Sequence, residues 1–146
     1  MPTLLRNCAF DYIEIEAVAG TTLLTSDILD MAGYDGVVFI ALTGDGTSGT
    51  VLTLTALNNT ANSTSGAAAI TGGTATATSV STTDADNKLL IVDVYRPQLR
   101  YVYCTLTRAT QNCVCNGIIA IRYVGKKSPI TQATASVLAS TSIAGS

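Results

Sequence analysis

Apolar and polar residues alternate with a period of two along much of this chain, which is the pattern of β-strands that bury one face. Within residues 100–108, for example, Val102, Cys104 and Leu106 point to one side, and the tyrosines and threonines between them point to the other. Strands are predicted over residues 10–18, 37–42, 50–57, 89–95, 100–108 and 117–124, with a weak strand pair over 67–78 that hinges at Gly72 and Gly73. The chain is therefore predicted to be all-β.

The stretch 88–127 is the best defined part, and its three strands are predicted to form one sheet that the rest of the chain covers with a second. The last of these strands, 117–124, is apolar on both faces, so a second sheet or another subunit must cover it on both sides. Residues 26–33 are predicted to form one helical turn, with Ser26 at its start and Gly33 at its end. Residues 43–49 are rich in glycine and are predicted to form a hairpin loop.

The chain divides into three predicted parts. Residues 10–124 form a β-sandwich of about eight short strands, residues 1–9 form an extended N-terminal arm, and residues 125–146 form a C-terminal arm. Ordering a backbone costs about 1–2 kcal/mol per residue, and both arms carry too little apolar surface to offset that cost. We therefore expect a neighbouring chain to order them.

Composition narrows the possible functions. Hydrophobic residues make up 47% and charged residues 12% of the 146 residues, and histidine and tryptophan are absent. The net charge of −2 argues against nucleic-acid binding, and no run approaches the ~20 apolar residues of a membrane span. The first residues do not resemble a signal peptide, so the chain is expected to be made in a cytoplasm, with its four cysteines as reduced thiols.

Charge is unevenly distributed along the chain. Residues 1–73 contain one base and seven acids, whereas residues 74–146 contain seven bases and three acids. Two arrangements are open. If the halves stay apart, the protein has an acidic side and a basic side; if strands of the two halves interleave, the charges mix.

No stretch carries the residues of a catalytic, cofactor-binding or metal site. Residues 44–49 match G-x-G-x-x-G, but a strand follows instead of a helix, which favours a hairpin over a dinucleotide site. Asp84 and Asp86 fit turn chemistry, because no later glutamate completes a calcium loop. Glu14 and Glu16 share a strand face as solvated positions, with no third catalytic group. The protein is therefore predicted not to be an enzyme, and to use no cofactor and no metal.

Tyrosine and arginine concentrate in the C-terminal half, and both residue types anchor protein interfaces. They can also stack on single-stranded nucleic acid, or form a tyrosine-lined sheet face with arginines at the strand ends. We favour an interface. The candidate interface residues are Tyr95, Arg96, Arg100, Tyr101, Tyr103, Arg122, Lys126 and Lys127.

Three segments resemble the small capsid cement, or decoration, proteins of tailed bacteriophages. They are DMAGYDGVVFIAL at 30–42, which a Gly-rich turn and a Thr-rich strand follow, VDVYRPQLRYV at 92–102, and NGIIAIRY at 116–123. The resemblance covers residues 25–128 and consists of loose structural patterns. It implies a jelly-roll-like antiparallel β-sandwich on the exterior of a capsid, in contact with the major capsid protein and with other copies of itself as a dimer or trimer.

The predicted function is that of a structural virion protein, made in the host cytoplasm, that stabilises contacts between major capsid protein subunits. It would bind neither nucleic acid nor a membrane. One alternative is a tail-tube, head-completion or fibre-base component. Another, from a different class, is a carbohydrate-binding β-sandwich, which the absence of tryptophan disfavours because sugar sites use aromatic platforms.

Overall fold

A computed structural model of the chain describes residues 3–124, 126 and 130–142, and nearly all of its regular structure is β. The elements are α1 (Leu4–Asn7), β1 (Ala9–Glu14), β2 (Ala17–Gly20), β3 (Leu24–Thr25), β4 (Leu29–Asp30), β5 (Gly36–Gly46), β6 (Val51–Asn59), β7 (Ala68–Thr78), β8 (Leu89–Tyr95), β9 (Tyr101–Ala109) and β10 (Cys113–Tyr123). The strands form two antiparallel sheets packed as a sandwich, which confirms the predicted all-β class.

The chain crosses repeatedly from one sheet to the other. Sheet A has the strand order β1-β10-β5-β8, and β2 also pairs with β10. Sheet B has the order β3-β9-β6-β7, and β4 also pairs with β9. Most neighbours within a sheet are therefore distant in sequence, and the chain wraps around its core as a jelly roll. The predicted jelly-roll-like sandwich is confirmed.

The core lies between the sheets and consists of the inward positions of alternating strands. Val37, Phe39 and Ala41 of β5 are completely buried and share one cluster with Leu54 and Ala56 of β6. The same cluster contains inward residues of β8, β9 and β10, among them Leu90, Val92, Val94, Val102, Cys104, Leu106, Ile118 and Ala120. Because burial follows a period of two, the alternation along the sequence is enough to locate these strands.

The prediction that the three strands of residues 88–127 form one sheet is wrong. β8 and β10 lie on either side of β5 in sheet A, whereas β9 lies in sheet B between β6 and the short β3 and β4. The connections that follow β8 and β9 both cross between sheets. Residues 43–49 form no hairpin for the same reason, because β5 continues to Gly46 and the chain then crosses to β6.

Tertiary pairing also overrides two local signals. Residues 26–33 form no helical turn, because the buried Ser26 donates its N–H to the Cys104 carbonyl at 3.0 Å and its Oγ accepts the Cys104 N–H at 3.0 Å. The chain pairs with β9 as β3 just before this segment and as β4 within it. Residues 10–18 are not a single strand, since β1 ends at Glu14, β2 begins at Ala17, and Ile15 between them is 72% exposed. Residues 67–78 are one strand, β7, with a register shift opposite β6.

The described parts of the two arms meet at the outer edge of β1. Part of the N-terminal arm is one helical turn, α1, where an extended arm was predicted. Gln132 of the C-terminal arm accepts the Phe10 N–H at 2.8 Å and donates to the carbonyls of Leu5 and Cys8 at 3.1 and 2.6 Å. The C-terminal arm thus covers the open edge of β1, a contact that the sequence did not predict.

Candidate functional site

The outward side of sheet A is an apolar surface that runs across β1, β10, β5 and β8, and we call it the apolar face. Asp93 is its one charged residue within the part of the chain that the structure describes. The apolar face consists of Phe10, Tyr12, Val38, Ile40, Leu42, Leu89, Ile91, Asp93, Tyr95, Ile119, Ile121 and Tyr123.

The strand register aligns these side chains in rows. In the central row, Ile91 of β8 lies opposite Ile40 of β5, Ile40 lies opposite Ile119 of β10, and Ile119 lies opposite Tyr12 of β1. Opposed residues in antiparallel strands have Cβ atoms about 4.5–5.5 Å apart, so the row is continuous. Ile91 and Tyr12, at its two ends, are 51% and 43% exposed. Ile40 and Ile119, between them, are half-buried, so the row is a contiguous apolar patch that is exposed at its ends. Exposed apolar patches are typical of interaction sites.

The carboxylate of Asp93 is bonded within the apolar face. The Tyr123 ring lies over Gly36, where any larger residue would overlap it. The Tyr123 hydroxyl donates to Asp93 Oδ1 at 2.7 Å. Burial, together with the Asp93 carboxylate, raises the pKa of Tyr123. Gly36 therefore leaves room for the Tyr123 ring above the sheet, and from there the tyrosine hydroxyl donates its hydrogen bond to Asp93.

A polar rim borders the apolar face at the end of the sandwich where β5 begins and where β8 and β10 end. It consists of Asp11, Asp30, Asp35, Arg96, Arg100, Arg122 and Lys126. Arg100 holds Asp30 through two hydrogen bonds of 2.9 Å. Arg122 bonds Asp11 at 3.0 Å and the Asp30 carbonyl at 2.8 Å. Lys126 Nζ lies 2.6 Å from Asp35 Oδ1. These three cations are therefore already neutralised within the chain.

The ion pairs of the polar rim decide between the two charge arrangements left open by the sequence. Each joins an acid of residues 1–73 to a base of residues 74–146. The Arg122–Asp11 pair spans 111 residues of sequence. The two halves of the chain are therefore interleaved in the fold, and their charges mix at the rim.

Arg96 is the rim cation for which the described part of the chain supplies no carboxylate. Its φ of 52° is unfavourable for a residue other than glycine, and its N–H donates to the Asp35 carbonyl at 2.7 Å. Its guanidinium carbon lies 5.2 Å from the centroid of the Tyr95 ring. The turn after β8 therefore presents an exposed arginine and tyrosine side by side, and both are residue types enriched in interface hot spots.

The structure gathers most of the predicted interface residues at this end of the sandwich. Those at or beside the rim are Tyr95, Arg96, Arg100, Tyr101, Arg122 and Lys126. Tyr103 is different, because it lies opposite Leu57 inside sheet B and is 4% exposed, which leaves it little surface for a partner. Lys127 lies outside the described residues.

Sequence reasoning missed most of the apolar face, because Tyr95 is its one residue among the candidate interface residues. Phe10, Tyr12, Val38 and Ile40 were not among the candidates, although they occupy its middle rows. A signal was present, because residues 37–42 are apolar at every position. The same signal in residues 117–124 does indicate a strand covered on both sides.

The acidic residues that the sequence analysis considered for cation binding or catalysis have structural roles or lie apart. Asp84 accepts hydrogen bonds from Ser79 Oγ at 2.5 Å and Val80 N–H at 2.8 Å, and these bonds lower its pKa to about 2. Asp86 accepts the Gly46 N–H at 2.8 Å, so both aspartates hold turns. Glu14 and Glu16 do not share a strand face, because β1 ends at Glu14. Within residues 3–124, 126 and 130–142, no group of three or more histidine, cysteine, aspartate or glutamate residues could hold a metal ion.

All four cysteines are free and buried. Burial raises the pKa of Cys8, Cys113 and Cys115, and raises that of Cys104 to about 12. Because the thiolate is the reactive form of cysteine, these thiols are poor nucleophiles. They fill the core as small apolar side chains.

No protein-family model matches this chain, and no characterised protein matches it. No helix among the described residues is long and apolar enough to cross a membrane.

The Arg100–Asp30 pair predicts a pH dependence of stability. The hydrogen bonds from Arg100 and from the Ala32 N–H lower the pKa of Asp30 from 3.8 to about 2. A carboxyl group with a lowered folded-state pKa stabilises the fold above its unfolded pKa, and this contribution is lost as the pH falls through the folded value. The stability difference between the wild type and Asp30→Asn should therefore shrink between about pH 4 and about pH 2. Urea unfolding at several pH values checks this, and a difference that stays constant would contradict it.

Proposed function

We propose that this protein is a non-enzymatic structural component of a phage particle, which binds the exterior of the capsid and joins neighbouring major capsid protein subunits. The observation that carries the proposal is the apolar face. A four-stranded sheet with an apolar outward side favours a working state in which another surface covers it. The resemblance of residues 25–128 to cement proteins suggests that this surface is a capsid.

The apolar face can supply the affinity of such a contact. Complete burial of one large apolar side chain contributes about 1.5–3 kcal/mol, and several residues of this face are about half exposed. The polar rim would contribute orientation, because most of its cations already have partners within the chain. Arg96 remains available for an acidic group of the partner, and pairs at the edge of an interface affect specificity more than affinity.

The stabilising effect on a shell follows from mass action. A protein that binds the assembled shell and not its separated subunits shifts the equilibrium towards the assembled form. A contact surface that runs across four strands can bridge two subunits. Particles that lack the protein should therefore form, but break at a lower temperature or under osmotic shock.

The proposal predicts that one charge in the centre of the apolar face abolishes binding to particles. Ile119→Glu places a carboxylate where the partner would bury it, and an unpaired buried charge is strongly unfavourable. Thr105→Glu is the matched control, because it places the same charge on the outward face of sheet B, also on a central strand. Co-sedimentation with particles that lack the protein measures both variants.

We expect Ile119→Glu to stay in the supernatant and Thr105→Glu to bind as the wild type does. Equal binding by both variants would remove the apolar face from the contact. The number of copies per particle separates the cement role from the tail-tube, head-completion or fibre-base alternative, since only a cement protein covers the whole shell. A few copies per particle would favour the alternative.

A further inference from the structure

β8 forms an edge of sheet A. It pairs with β5 in one unbroken register, from Leu89 opposite Leu42 to Tyr95 opposite Gly36. No other strand of the described residues pairs with β8. The strand therefore presents a regular edge that is seven residues long.

Two hydrogen bonds at the ends of this ladder identify the backbone groups that face the open side. The Thr43 N–H donates to the Lys88 carbonyl at 3.0 Å, and the Arg96 N–H donates to the Asp35 carbonyl at 2.7 Å. Alternate residues of an antiparallel strand bond to the same neighbour. Hence the backbone N–H and C=O groups of Leu90, Val92 and Val94 form hydrogen bonds with β5. The residues that direct their N–H and C=O groups to the open side are Leu89, Ile91, Asp93 and Tyr95.

The edges at β1, β3, β4 and β7 are protected. Gln132 caps the Phe10 N–H at the edge of β1. β3 and β4 are only two residues long. β7 is interrupted by a register shift, with Gly72 at a φ of 79° beside it. Short strands, bulges and covering segments are the means by which proteins prevent edge-to-edge pairing.

Within the part of the chain that the structure describes, β8 has none of these protections. It contains no proline, lysine or bulge, and its one charge, Asp93, is bonded to Tyr123. Leu89, Ile91 and Tyr95 are 56%, 51% and 60% exposed on its outward side. A regular apolar edge of this kind is a template for an added strand.

We propose that β8 pairs with β8 of a second copy of this chain, antiparallel and about a two-fold axis at Val92. Leu89 then lies opposite Tyr95 of the other copy, and Ile91 lies opposite Asp93. Every N–H and C=O group on the open side of the segment gains a partner. The apolar faces of the two copies join into one continuous surface, so the second copy extends the surface that the proposed function uses.

The neighbouring registers are less favourable. An axis at Asp93 places the two Asp93 carboxylates opposite each other, and directly opposed like charges destabilise a sheet. An axis at Ile91 places Tyr95 opposite Asn87, whose φ of 54° takes the chain out of the extended conformation. The axis at Val92 alone pairs the full segment from Leu89 to Tyr95. It brings Lys88 of one copy towards Arg96 of the other at both ends, so added salt should tighten the dimer by screening.

The first experiment measures the mass of the full-length protein in solution by sedimentation equilibrium. We expect a dimer for the wild type and a monomer for Ile91→Lys, because lysine at an edge blocks pairing. Thr76→Lys is the matched control and should remain dimeric, since it places the same charge on the exposed edge strand of sheet B. A monomeric wild type, or loss of the dimer in Thr76→Lys alone, would overturn the proposal. Circular dichroism verifies that each variant folds.

The second experiment tests the register by cross-linking. The native cysteines are buried, so an introduced thiol is the reactive one. A mixture of Leu89→Cys and Tyr95→Cys should form a disulfide-linked pair under mild oxidation, whereas neither variant should do so alone. Self-linking of Ile91→Cys would refute this register. Ile119→Glu separates the two proposals, because it should lose particle binding and stay dimeric.

Discussion

Replacing Arg108 by methionine should lower the free energy of unfolding by about 3 kcal/mol or more. Arg108 lies on the inward side of β9 and is 3% exposed. Its guanidinium donates to three backbone carbonyls, those of Thr22 at 3.1 Å, Val18 at 2.8 Å and Cys113 at 2.7 Å. Methionine keeps most of the apolar stem and removes every donor. The contact with the Cys113 carbonyl is buried, and those with the Thr22 and Val18 carbonyls are part-buried. A buried carbonyl left without a donor costs about 1–3 kcal/mol, and the two part-buried contacts add to that loss, so the sum exceeds the cost of an ordinary surface substitution.

Arg100→Met is the matched control for this prediction. Arg100 also donates two hydrogen bonds, both to the Asp30 carboxylate, but its side chain is 58% exposed. Exposed ion pairs contribute about 0–1 kcal/mol, so the free energy of unfolding of this variant should be close to that of the wild type. Urea denaturation of both variants gives the comparison. Equal losses of stability would mean that the Arg108 contacts are replaced by water when the side chain is shortened.

The role of Arg108 shows what the alternation pattern does and does not predict. The pattern places β8 at Leu89–Tyr95, as the structure has it, because Leu90, Val92 and Val94 alternate with outward residues. The same alternation places Arg108 on the inward side of β9, in line with Leu106. An arginine at a strand end normally reaches solvent. It is buried here because the segment from Val18 to Thr22 closes over it, and that contact joins residues about 90 positions apart.

Strand partners could not be predicted for a related reason. A period of two identifies which side of a strand is buried, but it does not identify the neighbouring strand. The sequence predicts residues 89–95, 100–108 and 117–124 as three strands of one sheet. In the structure the first and third lie on either side of the longer β5, and the second lies in the other sheet. Ser26 and Gly33 carry helix-capping signals, yet the hydrogen bonds between Ser26 and Cys104 hold that segment on β9. Short local signals are weak against pairing with a strand of the core.

The candidate site could likewise be predicted from the sequence only in part. The tyrosine and arginine composition of the C-terminal half predicted an interaction surface near the end of β8, where the structure places Tyr95 and Arg96 side by side. The acids that neutralise Arg100, Arg122 and Lys126 come from the other half of the chain. No local pattern connects them to their partners. The composition therefore pointed to residues that the fold brings to one end of the sandwich, and only the fold separates the paired cations from Arg96.

Replacing Gly117 by alanine should cost about 3 kcal/mol and should disturb the apolar face at the same time. Gly117 has a φ of 122°, which is strained for any other residue. It lies where the register shifts between β10 and β5. An added Cβ would overlap the Tyr12 hydroxyl and would come within 3.0 Å of the Glu14 carbonyl oxygen. The tyrosine would have to leave its place above the strand, where its hydroxyl donates to the Asn116 carbonyl at 3.1 Å.

Two comparisons separate backbone strain from overlap at Gly117. Gly66 has a φ of 80° with no atom within 4 Å of an added Cβ, so Gly66→Ala carries the strain alone and should cost about 1–2 kcal/mol. Tyr12→Phe removes the overlapping hydroxyl, so it should recover part of the loss when combined with Gly117→Ala. The overlap with the ring carbon Cζ of residue 12 and the close approach to the Glu14 carbonyl remain. Urea unfolding of the four variants measures each step. If Gly117→Ala cost no more than Gly66→Ala, the bulge would relax around the new methyl group, and Tyr12 would keep its place in the apolar face.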